Sequence, residues 1–421
     1  MRVLLITRNF PPRPCGVGDF ASGLAEALAG AGDIVTVLTE PAGVPRQESI
    51  SLREHTLCGW QDLSPVLQEI KATAPDRVQL EYSGYAWGRW GVAWWLNALL
   101  FRLRRRGIPV HIGLHEIAIR MRQHPLQIPV ALAQWVHVGL LLAAAESVAL
   151  NMPSRVELLG RVFPWWRAKL RYRPNPSNIP VVPITDEERK ALRRGRGVED
   201  GETVLATFGM FHTAKHYEAL IGAVARLRAM PSSEARRVRL WMLGNTAAAS
   251  PEYIARLKQL ALELGVEEAV WWPGRLDAAQ VSRMLQAADV FVLPQADGHL
   301  TRSGSFMAAA AHGLPVVAVR NPTRQGQAEF THGKSVWLAG RSAPDEIAAG
   351  ISALLHDPAG SCEMGSNLRR LYQSRFAWQV IVARDLSTAA QSSQRSETAD
   401  SPHEAPHERA AGVSRTGMAV K

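Results

Sequence analysis

The sequence predicts an α/β chain of two Rossmann-like domains facing each other across a cleft, on three observations. Short apolar strands alternate with amphipathic helical stretches in two successive series, the pattern of parallel sheets covered by helices. A proline-rich, aperiodic stretch, RYRPNPSNIPVVPITDEE (171–188), separates the series and reads as a connector. At 421 residues, the chain exceeds what one hydrophobic core usually supports.

The first series opens with RVLLIT (2–7), an amphipathic helix from Asp19 to about Gly32, and DIVTVLTE (33–40). It continues with DRVQLEY (76–82), a helix near 90–106, PVHIGLHE (109–116), a second helical stretch and SVALNMP (147–153). The second series runs TVLATFGMF (203–211), a helix from Lys215 to Met230, VRLWMLGN (238–245), a helix near 252–264 and AVWWPG (269–274). A helix near 277–288, VFVLPQ (290–295), a helix of small residues and PVVAVRN (315–321) complete it. The expected domains are residues 1–178 and 179–375. Beyond about Ala390 large apolar residues nearly vanish, so 392–421 reads as a disordered tail.

Composition narrows the function classes. Three cysteines (Cys15, Cys58, Cys362) lack metal or redox spacing, which suits a reducing cytosol and argues against a disulfide scaffold. MRVLLIT is too short for a signal-peptide core and reads as a strand. The longest apolar region, Ile128 to Leu150, is interrupted by Gln134, His137 and Glu146, against a membrane span. A net charge of +10 favours anionic partners, phosphates or acidic lipid headgroups. Zinc-finger, helix-turn-helix and RNA-binding signatures are missing, so nucleic acid is not an expected partner.

Five stretches could carry chemistry. CGVGDF (15–20) runs from a strand into a helix N-terminus, where unpaired N–H groups gather and an anion or sugar hydroxyl is stabilised. Its spacing is not Gly-x-Gly-x-x-Gly, because position 21 is Ala, and a turn that merely uses Gly flexibility reads equally well. In FGMFHTAKHYEAL (208–220), Gly209 ends a strand and Lys215 opens the next helix. Both fall at the carboxyl edge where open α/β sheets bind ligands, and Lys215 offers a point charge. Ser303 is a good N-cap ahead of Gly304 and Ser305, and Arg302 supplies a planar fork for phosphate oxygens. His115, beside Glu116, ends a strand of the first series, a position that balances a structural imidazole against a functional one. Finally, WGRWGVAWWLNALLFRLRRRG (87–107) holds four tryptophans and five arginines. It reads as a helix packed on the sheet with a solvated basic end, or as peripheral docking on an anionic membrane.

From residue 1 to about 388 these pieces follow the order and spacing of a known family. The carriers are GVGDF, LHE, RPNPSNIP, FGMFHTAK, WMLGN, WWPGRLDAAQVSRMLQAADVFVLP and AAAAHGLPVVA. The chain resembles the retaining nucleotide-sugar glycosyltransferases of group 1, which have the two-Rossmann GT-B fold. The resemblance implies transfer of a sugar from a nucleoside diphosphate sugar to an acceptor hydroxyl, in polysaccharide or glycolipid synthesis. No cofactor or metal is expected beyond the sugar nucleotide as co-substrate. Gly16 and Gly18 match a loop approaching donor phosphate; His115 matches a histidine near the reacting sugar. Gly209, Lys215, Gly304 and Ser305 match the diphosphate site, with Arg302 beside them, and Asp19 and Glu116 fall on the acceptor side. Residues 376–391 resemble a C-terminal helix crossing back to the first domain. The expected location is cytoplasmic, with peripheral contact at the inner face of a membrane as the alternative.

Two departures stand out. The family usually places Arg after the glycine at 209, where this chain has Met210, and two glutamates where it has Leu300 and Ala308. They motivate rival readings: a catalytically silent GT-B protein that binds sugar nucleotides or a partner enzyme, or a sugar-nucleotide epimerase.

Overall fold

The computed structural model describes residues 1–13, 15–41, 50–117, 128–231, 237–244, 250–323 and 326–385. The tail expected at 392–421 and residues 386–391 of the final helix lie outside the described residues.

The first sheet has seven strands, β1 (Arg2–Ile6), β2 (Ile34–Thr39), β3 (Ile50–Glu54), β4 (Arg77–Tyr82), β5 (Val110–Leu114), β6 (Ser147–Leu150) and β7 (Leu170–Tyr172). All pair in parallel, in the order β3-β2-β1-β4-β5-β6-β7. The second sheet has β8 (Thr203–Phe208), β9 (Val238–Leu243), β10 (Val270–Trp271), β11 (Val290–Leu293), β12 (Val316–Val319) and β13 (Trp337–Ala339). Its order, β10-β9-β8-β11-β12-β13, is also parallel throughout. Both are the doubly wound order, which reverses between β1 and β4 and between β8 and β11. At such a reversal the loops leave the sheet in opposite directions and open a crevice.

Central strands are legible because helices cover both of their faces. β4 and β11 are buried at every residue; β11 (VFVL) reads as an unbroken apolar run, while β4 (RVQLEY) alternates apolar residues with Arg77, Gln79 and Glu81. Edge strands are different. β3 alternates, with Ile50 buried and Ser51 exposed, while β7 and β13 have three residues each; none of the three was expected from the sequence. β7 also falls within the stretch read as connector, and the helix Asp186–Arg194 follows, opened by a Thr185/Glu188 capping box. The helix expected near 90–106 is broken: Trp90 has φ 62°, and the regular helix is Trp94–Arg105.

Leu96, Leu99, Leu100 and Leu103 of that helix pack on Val78, Leu80 and Ile112 in the core of the first sheet. The second sheet has a core on each face, one built on the small-residue helix Gly304–His312 and one on the helix Tyr217–Arg228. Both sheets lie in one compact unit, Met1–Val382. Trp378 ties the end of this unit to its beginning. Its ring lies 5.1 Å from Phe20, its Nε1 donates to the Ser177 carbonyl at 2.7 Å, and a side chain at Gly23 would collide with it.

Candidate active site at the facing strand ends

In the first sheet the chemistry centres on a carboxylate that the motifs did not reveal. Glu81, on β4, is completely buried. It accepts hydrogen bonds from Gln79 Nε2 (2.7 Å), from His115 Nε2 (2.7 Å) and, at both oxygens, from Arg173 Nη2 (2.9 Å). Gly113 of β5 makes room, since a Cβ there would strike both Glu81 and Arg173. Burial alone would raise the Glu81 pKa, but the Arg173 and His115 charges and hydrogen bonds outweigh it and hold the carboxyl below its ordinary range. His115 thus stands at the end of β5 as expected, with its ring edge-on to Phe20 at 5.0 Å. The neighbour expected to support it does not: Glu116 is exposed and accepts from Ser83 Oγ at 2.8 Å.

Gly16 and Gly18 are not in a loop before the helix. The helix starts at Gly16, three residues earlier than expected, because Cys15 is extended and the Asp19 N–H bonds the Cys15 carbonyl at 2.8 Å. Gly18 allows close approach, since a Cβ would lie 2.8 Å from the Asn9 carbonyl oxygen; Gly16 is exposed with open space around it. Asp19, in the first turn, has its carboxyl pKa raised by burial, against a hydrogen bond with Asn178 that lowers it.

In the second sheet, Gly209 ends β8 at φ 138°, and a Cβ there would lie 2.7 Å from Ser305 Oγ. Glycine at 209 therefore lets the β8 tip meet the helix Gly304–His312. Lys215 does not open a helix as expected. It closes the single turn Thr213–Lys215, and Tyr217 begins the helix after His216 at φ 55°. Nor is it solvated. Its half-buried ammonium donates to Gln295 Oε1 at 2.6 Å. Burial lowers its pKa; Asp297 opposes that effect and Arg302 adds to it. Gln295 and Arg302 both donate to Asp297, so Lys215, Gln295, Asp297 and Arg302 form one polar chain. Beside it, Ser303 Oγ caps Phe306 N–H at 3.3 Å, and the first-turn N–H groups of Gly304 and Ser305 have no acceptor within the helix.

The connector joins the two edges. The N–H and side chain of Asn175 donate to the carbonyls of Thr301 and Arg302, each at 3.1 Å. Asn178 bonds Asp19, and its Oδ1 would lie 3.5 Å from a Cβ at Gly304. Arg155 of the first sheet donates to the His115 carbonyl and to Asn151 Oδ1, and burial followed by the nearby Arg302 charge lowers its pKa. His115, Asp19, Gly304, Ser305, Gly209, Lys215 and Arg302 are therefore linked through named contacts; Glu116 reaches that chain only through its charge on Arg155, and Gly16 stays outside it. A small open hollow beside Glu81, about 30 Å³, is lined by Asn9, Cys15, Val17, Ser83 and Trp87.

Sequence reasoning missed Glu81, Arg173, Arg155 and Asn178. The signal for Glu81 was present: an acid inside the buried strand RVQLEY must be paired, and a mid-strand glycine at 113 marks a close approach.

Two doubly wound parallel sheets in succession match the GT-B fold of solved glycosyltransferase structures. Residues 202–357, which hold the second sheet and its helices, match the family model described as Glycosyl transferases group 1. Among curated relatives, a D-inositol 3-phosphate glycosyltransferase of Stackebrandtia nassauensis is 28% identical over 295 residues, 68% of this chain and 62% of that protein. A GDP-mannose-dependent mannosyltransferase of Corynebacterium glutamicum, acting on a monoacylated phosphatidylinositol monomannoside, is 28% identical over 232 residues, 52% and 56% of the two chains. The chain thus matches about three fifths of the length of these relatives. Two solved structures share the fold. Anabaena HepE bound to UDP has a TM-score of 0.71 at 18% identity, over 93% of this chain and all of that one. Sucrose-phosphate synthase of Thermosynechococcus elongatus has a TM-score of 0.68 at 19% identity, over 95% of this chain and all of the other.

Proposed function

We propose that the protein is a glycosyltransferase that moves a sugar from a nucleoside diphosphate sugar to the hydroxyl of a carbohydrate or lipid-linked acceptor. One observation carries the reading: Lys215, Arg302 and the N-terminus of the helix at Gly304 converge at the reversal point of the second sheet. Cleaving the anomeric C–O bond leaves an oxocarbenium-like sugar and a diphosphate with growing negative charge. Two cations and unpaired N–H groups aimed at that charge stabilise the departing state more than the bound donor. In this reading retention follows from attack on the face the diphosphate leaves, with a phosphate oxygen taking the acceptor proton, and no metal ion takes part. His115 donates Nε2–H to Glu81, so in the neutral ring Nδ1 is left as an acceptor for a sugar hydroxyl. Asp19, half-buried beside Asn178, faces the acceptor side.

A second reading has a specific motive. Leu300 and Ala308, which stand where the resemblance places two glutamates, are both completely buried in the core. Neither position can present a carboxylate to the donor. A protein that binds sugar nucleotides without turning them over is the reading this favours, and an epimerase would change the sugar with no acceptor present.

The test is a thermal-shift screen of UDP, GDP and ADP, followed by incubation with UDP-glucose and GDP-mannose. A matching nucleoside diphosphate at a hundred times its Kd stabilises the fold by about 2.7 kcal/mol. The expected outcome is one preferred base and release of its diphosphate from the corresponding sugar nucleotide. Stabilisation without release would support the silent reading, and no shift with any nucleotide would overturn both.

A further inference from the structure

His115 is held by its backbone and by one side-chain hydrogen bond, and neither fixes the plane of its ring. Its N–H donates to the Tyr82 carbonyl at 2.9 Å, and its own carbonyl accepts from Arg155. Nε2 donates to Glu81 at 2.7 Å. A hydrogen bond pins one atom, and torsions that end in a flat ring are broad, so these ties leave the imidazole free to turn. Such a turn would swing Nδ1, the atom left to accept from a sugar hydroxyl. Phe20 removes this freedom. Its ring lies 5.0 Å from the imidazole at 74°, a T-shaped contact.

Phe20 is buried and is itself held on two further sides. The Arg173 guanidinium lies over its ring at 4.9 Å, and the Trp378 indole meets it at 5.1 Å and 53°. Arg173 is already committed to Glu81, so Trp378 is the support that the Glu81 cluster does not supply. The indole has little room to drift. Its Nε1 donates to the Ser177 carbonyl at 2.7 Å, and its ring fills the space that a side chain at Gly23 would need.

Trp378 comes from the other half of the site. Phe376, two residues before it, is buried in the core of the second sheet and stacks on Phe330 at 5.6 Å. Phe330 meets Phe306 at 4.8 Å, and Phe306 lies in the first turn of the helix Gly304–His312. Ring contacts and two peptide bonds thus lead from the helix beside Lys215 and Arg302 to the imidazole of His115.

We infer that Trp378 is a positioning residue: acting through Phe20, it fixes the plane of the His115 ring and so the direction of Nδ1. A side chain anchored in the second sheet's core thereby completes the site on the first sheet. This role rests on the donor reading only in taking His115 as the group beside the reacting sugar.

The test uses the full chain and the variants Trp378→Leu and Trp378→Phe, with Trp378→Leu repeated in a His115→Gln background. Trp378→Leu should lower kcat for diphosphate release about tenfold or more, because a misplaced group at the reacting centre is costly. KM for the sugar nucleotide and stabilisation by its nucleoside diphosphate should stay near parental values. Trp378→Phe keeps a ring against Phe20 and should recover most of the loss. Phe20→Leu breaks the same contact from the other side and should repeat the Trp378→Leu pattern. In the His115→Gln background Trp378→Leu should cost nothing further, since the group it acts through is gone.

A Trp378 that merely packs would lower the thermal transition and leave kcat per folded molecule unchanged, and that result overturns the inference. Losses that add in the double variant overturn it as well. Crystal structures of the parent and of Trp378→Leu give a readout that needs no turnover: the angle between the Phe20 and His115 rings should depart from 74°. An unchanged ring plane overturns the inference whatever the kinetics show. A parent that binds no nucleoside diphosphate would sink the donor reading, and the ring planes would still decide the role of Trp378.

Discussion

The two halves of the site are built from the same pair of groups in opposite settings. In the first sheet, Glu81 and Arg173 have 0% and 5% of their side chains exposed; in the second, Asp297 and Arg302 have 35% and 34%. Both carboxyl pKa values are pushed up by burial and then, on balance, held below the ordinary range, by Arg173 and His115 at one site and by Arg302 and the His299 N–H at the other. The buried pair has no water to return to, so each partner must keep the other. The half-exposed pair can dissolve at little cost. We read Glu81 as the fixed mount that sets the His115 ring and Asp297 as a placeholder that holds Arg302 until a diphosphate displaces it.

That contrast is most directly broken at Glu81. Glu81→Ala removes the carboxylate that accepts from the buried Arg173, from His115 and from Gln79, and should cost about 3–5 kcal/mol of stability in a urea titration. Asp297→Ala, screened by solvent, should cost under about 1 kcal/mol. Equal losses would refute the contrast. The sign with pH follows. A carboxyl held below its ordinary value of 4.5 contributes stability that is full above that value and lost as pH falls through the folded-state value. Wild type should therefore weaken below about pH 4.5, and Glu81→Gln should remove that part of the acid limb. An acid limb unchanged by Glu81→Gln would place the titrating group elsewhere.

Lys215 comes next in size. Because its stem is packed and its ammonium bonds Gln295, Lys215→Met keeps most of the volume and removes the charge. Release of diphosphate from the sugar nucleotide should fall about a hundredfold, with the thermal transition nearly unchanged. Near-parental turnover would remove Lys215 from the donor site, and a collapsed fold would make it a core residue rather than a ligand.

How much of this was legible from the chain alone follows from distance along it. The tips of β8 and β11 carry their signals locally: a glycine where only φ above zero fits, a lysine six residues beyond it, a cap beside an arginine. Reading those needs no knowledge of the fold. Glu81 and Arg173 are 92 residues apart, and Arg155 faces Arg302 across the two sheets; such pairs exist only once the sheets have formed. The error at Lys215 has the same origin. Its turn was visible, but its burial depends on Gln295, 80 residues on. The three missed edge strands were illegible for a different reason: with one neighbour each, they need neither length nor an unbroken apolar run.

The finest test of the placeholder idea is Asp297→Asn. The amide keeps the shape of the carboxylate, and its oxygen can still accept from Gln295 and the His299 N–H, whereas the NH2 that replaces the other oxygen cannot accept from Arg302. What it loses is the charge that competes with a diphosphate for Arg302 and Lys215. Removing an anion from a half-exposed site is worth up to about 1 kcal/mol, so affinity for the preferred nucleoside diphosphate should rise, by about fivefold at most, in a calorimetric titration. Salt should shrink the gain, since the competing charges are only partly buried. If affinity falls instead, the carboxylate is positioning Arg302 for the ligand rather than standing in for it, and the two halves of the site would then be mounts of one kind.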